Sequence, residues 1–250
     1  MYIILFIVII IIYFFFIPSE IFDNILNVCI KEFDNTEIKV INDKWKSDFE
    51  GRFKNHEPNS NLKLKELLRE LPNNSYIIDV GSHVGDTGLY LAYILKHNYQ
   101  HKNVKVIMID PDDSKINFIN KMSKANNLDN ILTMNYGVSD KPNKGSLDKR
   151  FHPGGWKIET KDDGNINLDT LDNLCKNKLI SLMHIDVEGM EYQCLLGSTN
   201  ILKNVKYIMI ELNGLSNRSK EYNFLKNNNF VEIPDEKIKS ENGNVLFIKK

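Results

Sequence analysis

Apolar and polar positions follow two periods along the chain, and the switches between them outline an ordered series of elements. Short apolar runs of strand length recur from Tyr76 onward: Tyr76–Val80, Val104–Ile109, Asn130–Met134, Leu179–Ile185, Val205–Ile210, Phe230–Ile233 and Val245–Ile248. Between them lie segments with helical spacing. These are Asp86–Lys96, Ser114–Lys124 with Ile116, Ile119 and Met122 on one face, and stretches near 168–176, 190–202 and 218–228. Apolar strands alternating with helices predict an α/β, Rossmann-like fold: a seven-stranded, mainly parallel sheet with helices on both faces. The last two strands are separated by a turn around Glu241–Asn244, too short for a crossover helix, so that pair is expected to be antiparallel. Residues 141–167 are polar and glycine-containing and read as a long loop at a sheet edge, a common place for function.

Upstream, Asn59–Leu71 places Leu62, Leu64, Leu67, Leu68 and Leu71 on one face and stops at Pro72, the pattern of an amphipathic helix. Residues 18–58 lack clean periodicity and read as a stalk or an N-terminal helical cover. Tyr2–Ile17 is unbroken apolar and ends at Pro18. It falls slightly short of the roughly 30 Å hydrocarbon core. No basic start and no small-residue cleavage site accompany it, so it reads as an uncleaved, single-pass membrane anchor. Lys31 is the one Lys or Arg in the next twenty residues, which favours a cytoplasmic domain. The chain thus divides into an anchor (1–18), a stalk or helical region (19–58) and a domain (59–250).

Composition acts mainly by exclusion. There are 32 basic and 33 acidic side chains, with lysines scattered, so no nucleic-acid footprint is visible and small-molecule chemistry is favoured. Cys29, Cys175 and Cys194 form no CxxC pair, and no cysteine or histidine cluster has zinc spacing; no metal ligands are assigned.

The chemistry concentrates at strand ends, where ligands of open parallel sheets bind. The first strand runs into Ile77-Ile78-Asp79-Val80-Gly81-Ser82-His83-Val84-Gly85-Asp86-Thr87-Gly88. Its glycines permit a tight turn and close backbone approach. A dinucleotide reading is prompted by Asp110, about twenty residues on, where a ribose-binding acid belongs. The glycine spacing differs from that fingerprint, however, and Asp79 and Asp86 would repel a pyrophosphate. A ligand with a ribose, no phosphate and positive charge fits better: S-adenosylmethionine, with Asp79 favouring its cationic end and Asp110 accepting the ribose hydroxyls. The alternative is that Asp79 and Asp86 cap the turn and the helix start. Further along, His184-Ile185-Asp186-Val187-Glu188-Gly189-Met190-Glu191 ends a strand and opens a helix, and Glu211 ends the next strand. Four acids at adjacent strand ends imply a raised pKa, a bound cation or a general base. Helix-start stabilisation is the competing account for Glu188 and Glu191. His152 and Trp156 in HPGGW either stack on a sugar or pin a solvated loop.

Together IIDVGSHVGDTG, MIDPD, LDTLDNL, HIDVEGMEYQCLLGS and MIELNG resemble the FkbM-type methyltransferases over residues 60–250. The resemblance implies a class I, S-adenosylmethionine-dependent fold and O-methylation of a hydroxyl on a sugar, glycan or related metabolite. The candidate cofactor-binding residues are Asp79, Gly81, Ser82, His83, Gly85, Asp86, Thr87 and Asp110. The candidate catalytic residues are His184, Asp186, Glu188, Glu191 and Glu211. Two departures stand out: Ser82-His83 replaces the usual Ala-Asn of the glycine loop, and His184 replaces a lysine, where it could act as base, substrate contact or packed strand residue. A nicotinamide-dependent oxidoreductase and a catalytically silent, membrane-tethered scaffold remain as alternatives.

Overall fold

Two short strands, β1 (Asn27–Ile30) and β2 (Glu37–Val40), open the computed structural model, which describes residues 27–150, 152–212 and 219–250. They pair antiparallel and turn Cys29, Ile38 and Val40 inward. Helix α1 (Lys46–Asn55) buries Phe49 and Phe53, one turn apart and stacked at 5.2 Å. Under it Lys31 is fully buried, ringed by Phe33, Phe53 and Tyr90 at 4.8, 4.6 and 4.7 Å; burial pushes its pKa down to about 8. Helix α2 (Pro58–Leu67) starts on a proline, where the missing amide is harmless, and runs into a single tight turn at Leu68–Glu70. Its first amides are capped from the far end of the chain. Glu241 Oε1 accepts from Asn59 N and Oε2 from Ser60 N, both at 2.8 Å, and Oε2 also accepts from Ser60 Oγ at 2.8 Å. Replacing Glu241 by alanine is expected to lower stability by about 1–3 kcal/mol. Urea unfolding should show it as a lower midpoint at unchanged slope.

Strand and helix then alternate: β3 (Tyr76–Val80), α3 (Asp86–Asn98), β4 (Lys105–Ile109), α4 (Asp113–Ala125) and β5 (Ile131–Met134). Four short strands follow, β6 (Gly137–Val138), β7 (Asn143–Asp148), β8 (Lys157–Thr160) and β9 (Ile166–Asp169). The chain ends with α5 (Leu171–Leu174), β10 (Ile180–Ile185), α6 (Glu191–Leu196), β11 (Tyr207–Glu211), α7 (Ser219–Asn227), β12 (Phe230–Ile233), α8 (Glu236–Lys239) and β13 (Asn244–Lys249).

The main sheet has seven strands in the order β12-β13-β11-β10-β3-β4-β5. It is mixed, which corrects the expectation of a mainly parallel sheet: β13 inserts between β11 and β12 and runs antiparallel to both. Asn244–Phe247 are all buried, so their apolar pattern looks like that of an interior parallel strand; the short connection through α8 is what reverses the chain. The expected transmembrane anchor, Tyr2–Ile17, lies outside the described residues; among those, no helix is long and apolar enough to cross a membrane.

Residues 141–167 are not a loop. They supply β7, β8 and the start of β9, which join β6 in a second sheet ordered β6-β9-β7-β8. Asn143–Asp148 carries little strand preference of its own, and pairing on both sides imposes the extended form. The segments near 168–176 and 190–202 hold less helix than their spacing predicts: Leu171–Leu174, and Glu191–Leu196 with a tight turn at Ile201–Lys203.

Strand residues alternate between two apolar layers. Ile77, Val106, Leu182 and Met209 face α1 to α4, whereas Ile78, Ile107, Met183 and Ile208 face α5 to α7. The first layer also contains Cys29, Ile38, Val40, Trp45, Phe49 and Phe53. The stretch from Cys29 to Phe53 is therefore packed into the core. From the sheet centre the chain proceeds outward one way through β3, β4 and β5 and the other way through β10 and β11. The carboxyl ends of β3 and β10 form the switch point where a ligand crevice opens.

Candidate functional site

The turn leaving β3 is shaped by one close approach. Gly81 has φ +80°, and a Cβ there would lie 1.7 Å from the Asp186 carbonyl oxygen. Only glycine lets the ends of β3 and β10 come this near. The loop amides do not form an anion cradle. Gly81 N and Ser82 N donate to the Ile109 carbonyl at 2.9 and 3.1 Å, His83 N to Asp110 Oδ2 at 2.9 Å, and Gly85 N to the Ser82 carbonyl at 2.7 Å. Ser82 Oγ donates to the Asp79 carbonyl at 2.7 Å.

Both acids of the loop meet a cation from another element. Asp79 and His184 are register partners on β3 and β10, and Nδ1 of His184 lies 2.7 Å from Asp79 Oδ1. Burial alone would lower the His184 pKa, but the Asp79 hydrogen bond and charge prevail and raise it to about 9. His184 is therefore a cation at neutral pH, which argues against its serving as a base there. Asp86 accepts from Arg52 Nε of α1 at 3.2 Å and lies 3.7 Å from His56 Nδ1. Burial opposes its ionisation, yet Arg52, His56, Lys31 and His83 hold it well below the usual carboxylate range. His83, at φ +48°, places Nε2 2.8 Å from Asp48 Oδ2 and packs its ring edge-on to Trp45. Asp79 Oδ2 and Asp86 Oδ2 are buried without a hydrogen-bond partner among the described residues. Asp110 accepts the His83 and Asp112 amides, and burial raises its pKa.

The carboxylates after β10 are electrostatically close. Burial and the hydrogen bond and charge of Glu211 raise the Asp186 pKa well above the usual carboxylate range, and burial raises Glu211 as well. Burial and Glu191 raise Glu188, opposed by Lys157, Arg52 and Lys115. Glu191 Oε1 accepts from Gly189 N at 2.8 Å and so shapes the turn. Glu188 has φ +50°. Apart from seven asparagines, Glu57, His83 and Glu188 are the non-glycine residues at positive φ among those described, and all three border the two cavities at the switch point. Backbone strain held in place by its surroundings is a feature of functional sites.

The larger cavity, about 620 Å³ with its mouth, is bounded by Asp110, Tyr136, Gly137 and Val138 at one end and by Asp186 and Glu188 at the other. The smaller one, about 260 Å³, is bounded by Asp79, Ser82, Asp86, Thr87, His184 and Glu57. Arg52, Gly81, His83 and Asp186 border both. A lid made by Pro153, Gly154 and Trp156 covers the larger cavity. Lys115 latches it: its Nζ donates to the Pro153 carbonyl at 2.9 Å and lies over Trp156 at 4.5 Å and Trp45 at 5.6 Å. His152 instead accepts from Gly154 N and stays exposed.

The structure gathers Asp79, Gly81, Ser82, His83, Asp86, Thr87, Asp110, His184, Asp186 and Glu188 around the two cavities. Gly85 sits in the turn beneath, while Glu191 and Glu211 act through their neighbours. Sequence reasoning missed Trp45, Asp48, Arg52, His56 and Glu57. A signal was present: Asp48, Arg52 and His56 recur every four residues, a polar stripe along α1 and the residue that ends it, beside the buried Phe49 and Phe53.

A glycine turn at the switch point of an α/β sheet, an acid at the end of the neighbouring strand and carboxylates beside it define an S-adenosylmethionine-dependent methyltransferase. The methyltransferase FkbM domain model matches residues 79–236. The chain belongs to that family, and S-adenosylmethionine is its cofactor. None of the curated proteins matches the chain. Among solved structures, it is similar to methyltransferase FkbM from Methylobacillus flagellatus KT (14% identity, 82% of this chain and 61% of that one, TM-score 0.44). It is also similar to an rRNA methylase from Streptococcus thermophilus (15%, 76% and 94%, 0.47). A third is SMU.1697c from Streptococcus mutans, solved in complex with SAH (15%, 76% and 97%, 0.48).

Proposed function

We propose that the protein methylates a hydroxyl oxygen of a sugar, glycan or related metabolite. S-adenosylmethionine, when bound, supplies a methyl group made electrophilic by its sulfonium. The observation that carries the reading is the pair of adjoining cavities. One has the Asp110 carboxylate and apolar walls suited to an adenosine, and the other has buried carboxylate oxygens without partners, suited to a cationic amino-acid end. The residues thus fit the donor. At the junction, the protein's task is mainly to align oxygen with methyl carbon and exclude water. Support for a hydroxyl acceptor comes from the carboxylates there. With the His184 pKa raised to about 9 and that of Asp186 pushed up by burial and Glu211, Glu188 is the group placed to take the hydroxyl proton, and its own pKa is raised by burial and Glu191.

Glu188→Gln is expected to lower turnover by roughly a hundredfold to ten-thousandfold. Donor affinity in calorimetry should not change, and full turnover in this variant would remove Glu188 from the mechanism. The function itself is tested by incubating the full chain with methyl-labelled donor and separate pools of sugars, glycans, RNA and protein. Label should enter a sugar or glycan pool; label confined to RNA or protein, or no demethylated product in any pool, would overturn the reading.

A further inference from the structure

Helix α1 lies outside residues 79–236, which carry the family match, yet it delivers a charged group to the centre of the site. Arg52 borders both cavities. Its Nε is bonded to Asp86, and its two terminal nitrogens have no hydrogen-bond partner among the described residues. One of them, Nη1, points toward the lid, 3.4 Å from where a Cβ on Gly154 would sit. In the same small cavity Asp79 Oδ2 and Asp86 Oδ2 are buried acceptors without a hydrogen-bond partner among the described residues, Asp86 Oδ2 lying 3.7 Å from His56 Nδ1. Unused guanidinium donors beside unused carboxylate acceptors form a complementary site for a zwitterion, an α-carboxylate on the first and an α-ammonium on the second. Asp48, Asp86 and Asp186 face Arg52 electrostatically and hold it charged despite burial.

We propose that Arg52 anchors the carboxylate of the donor's amino-acid end, so that α1 is a working part of the donor site. This rests on the assignment of S-adenosylmethionine as donor. The planar guanidinium can keep Asp86 on one edge and take the carboxylate on the other, which a lysine cannot do in the same geometry. The full chain is titrated in calorimetry with S-adenosylhomocysteine, its decarboxylated analogue, and 5′-methylthioadenosine, which lacks the amino-acid end altogether. The wild type should prefer S-adenosylhomocysteine over the decarboxylated analogue by roughly tenfold to a hundredfold, the range for a charge-assisted hydrogen bond. Arg52→Gln should abolish that preference and leave methylthioadenosine affinity unchanged, with Arg52→Lys intermediate. A preference that survives in Arg52→Gln overturns the proposal. So does equal weakening of all three ligands, which would make the residue structural, or a loss confined to acceptor KM, which would place an acceptor anion on Arg52. Failure of the wild type to bind any of the three instead removes the donor assignment beneath it.

Discussion

Gly81→Ala is expected to unfold the switch point. The new Cβ would meet the Asp186 carbonyl oxygen at 1.7 Å, and the atom in the way is backbone, which no rotamer change can move aside. The left-handed backbone adds roughly 1–2 kcal/mol for a residue with a Cβ. Overpacking typically adds about 1–3 kcal/mol more. A total of about 2–5 kcal/mol lowers the melting temperature of a domain this size by on the order of 10 °C. Gly189→Ala is the control, because Gly189 also has positive φ but nothing within 4 Å of its would-be Cβ. It should show the backbone strain alone. A Gly81→Ala melting temperature within a degree or two of wild type would refute the close approach of β3 to β10.

Asp79→Asn should have the second large effect, read both in ligand affinity and in pH dependence. The substitution leaves the buried His184 imidazolium without its counter-charge, so His184 should titrate below its ordinary value, where the wild-type pKa is about 9. A folded pKa of about 9 above an unfolded value near 6.5 means the pair's contribution is complete below pH 6.5 and disappears as pH rises through 9. Its size is on the order of 3 kcal/mol. Wild-type stability should therefore decline between pH 6.5 and 9, and Asp79→Asn should lose that slope. Donor affinity should drop at least a hundredfold at neutral pH, since one of the two partnerless buried oxygens and its charge are gone. Denaturation midpoints across this pH range, with NMR titration of the imidazole, measure the effect. Identical slopes in the two proteins would show that Asp79 does not hold His184 charged.

Much of the site was legible because strand ends are legible. Asp79, Asp110, Asp186 and Glu211 each close an apolar run, and the switch-point rule then brings them near one crevice. Their pairing was not legible. That Asp79 faces His184, and that Glu211 acts on Asp186, depends on which strands are neighbours and in what register, and strand spacing along the chain does not specify either. The antiparallel pairing of β13 with β12 was expected, but its insertion beside β11 escaped for the same reason. Residues 45–57 were missed because the aromatic pair Phe49 and Phe53 and the polar Asp48 and Arg52 occupy one helix with little contrast between faces, and His56 lies just past its end. The second sheet was hidden by composition: Gly145 and its lysine and asparagine neighbours become a strand by pairing, which a local reading does not contain.

The bonding of the glycine turn bears on how the protein would exchange its ligand. The amides of Gly81, Ser82, His83 and Gly85 close on the chain's own carbonyls and on Asp110, so the turn keeps its shape without help from anything bound. Such a preorganised seat asks no ordering penalty of an arriving molecule and gains no rigidity from it. Fresh donor and demethylated product would meet the same surface, and the tempo of turnover would be set above it, by the parts that must part to let one out and the other in.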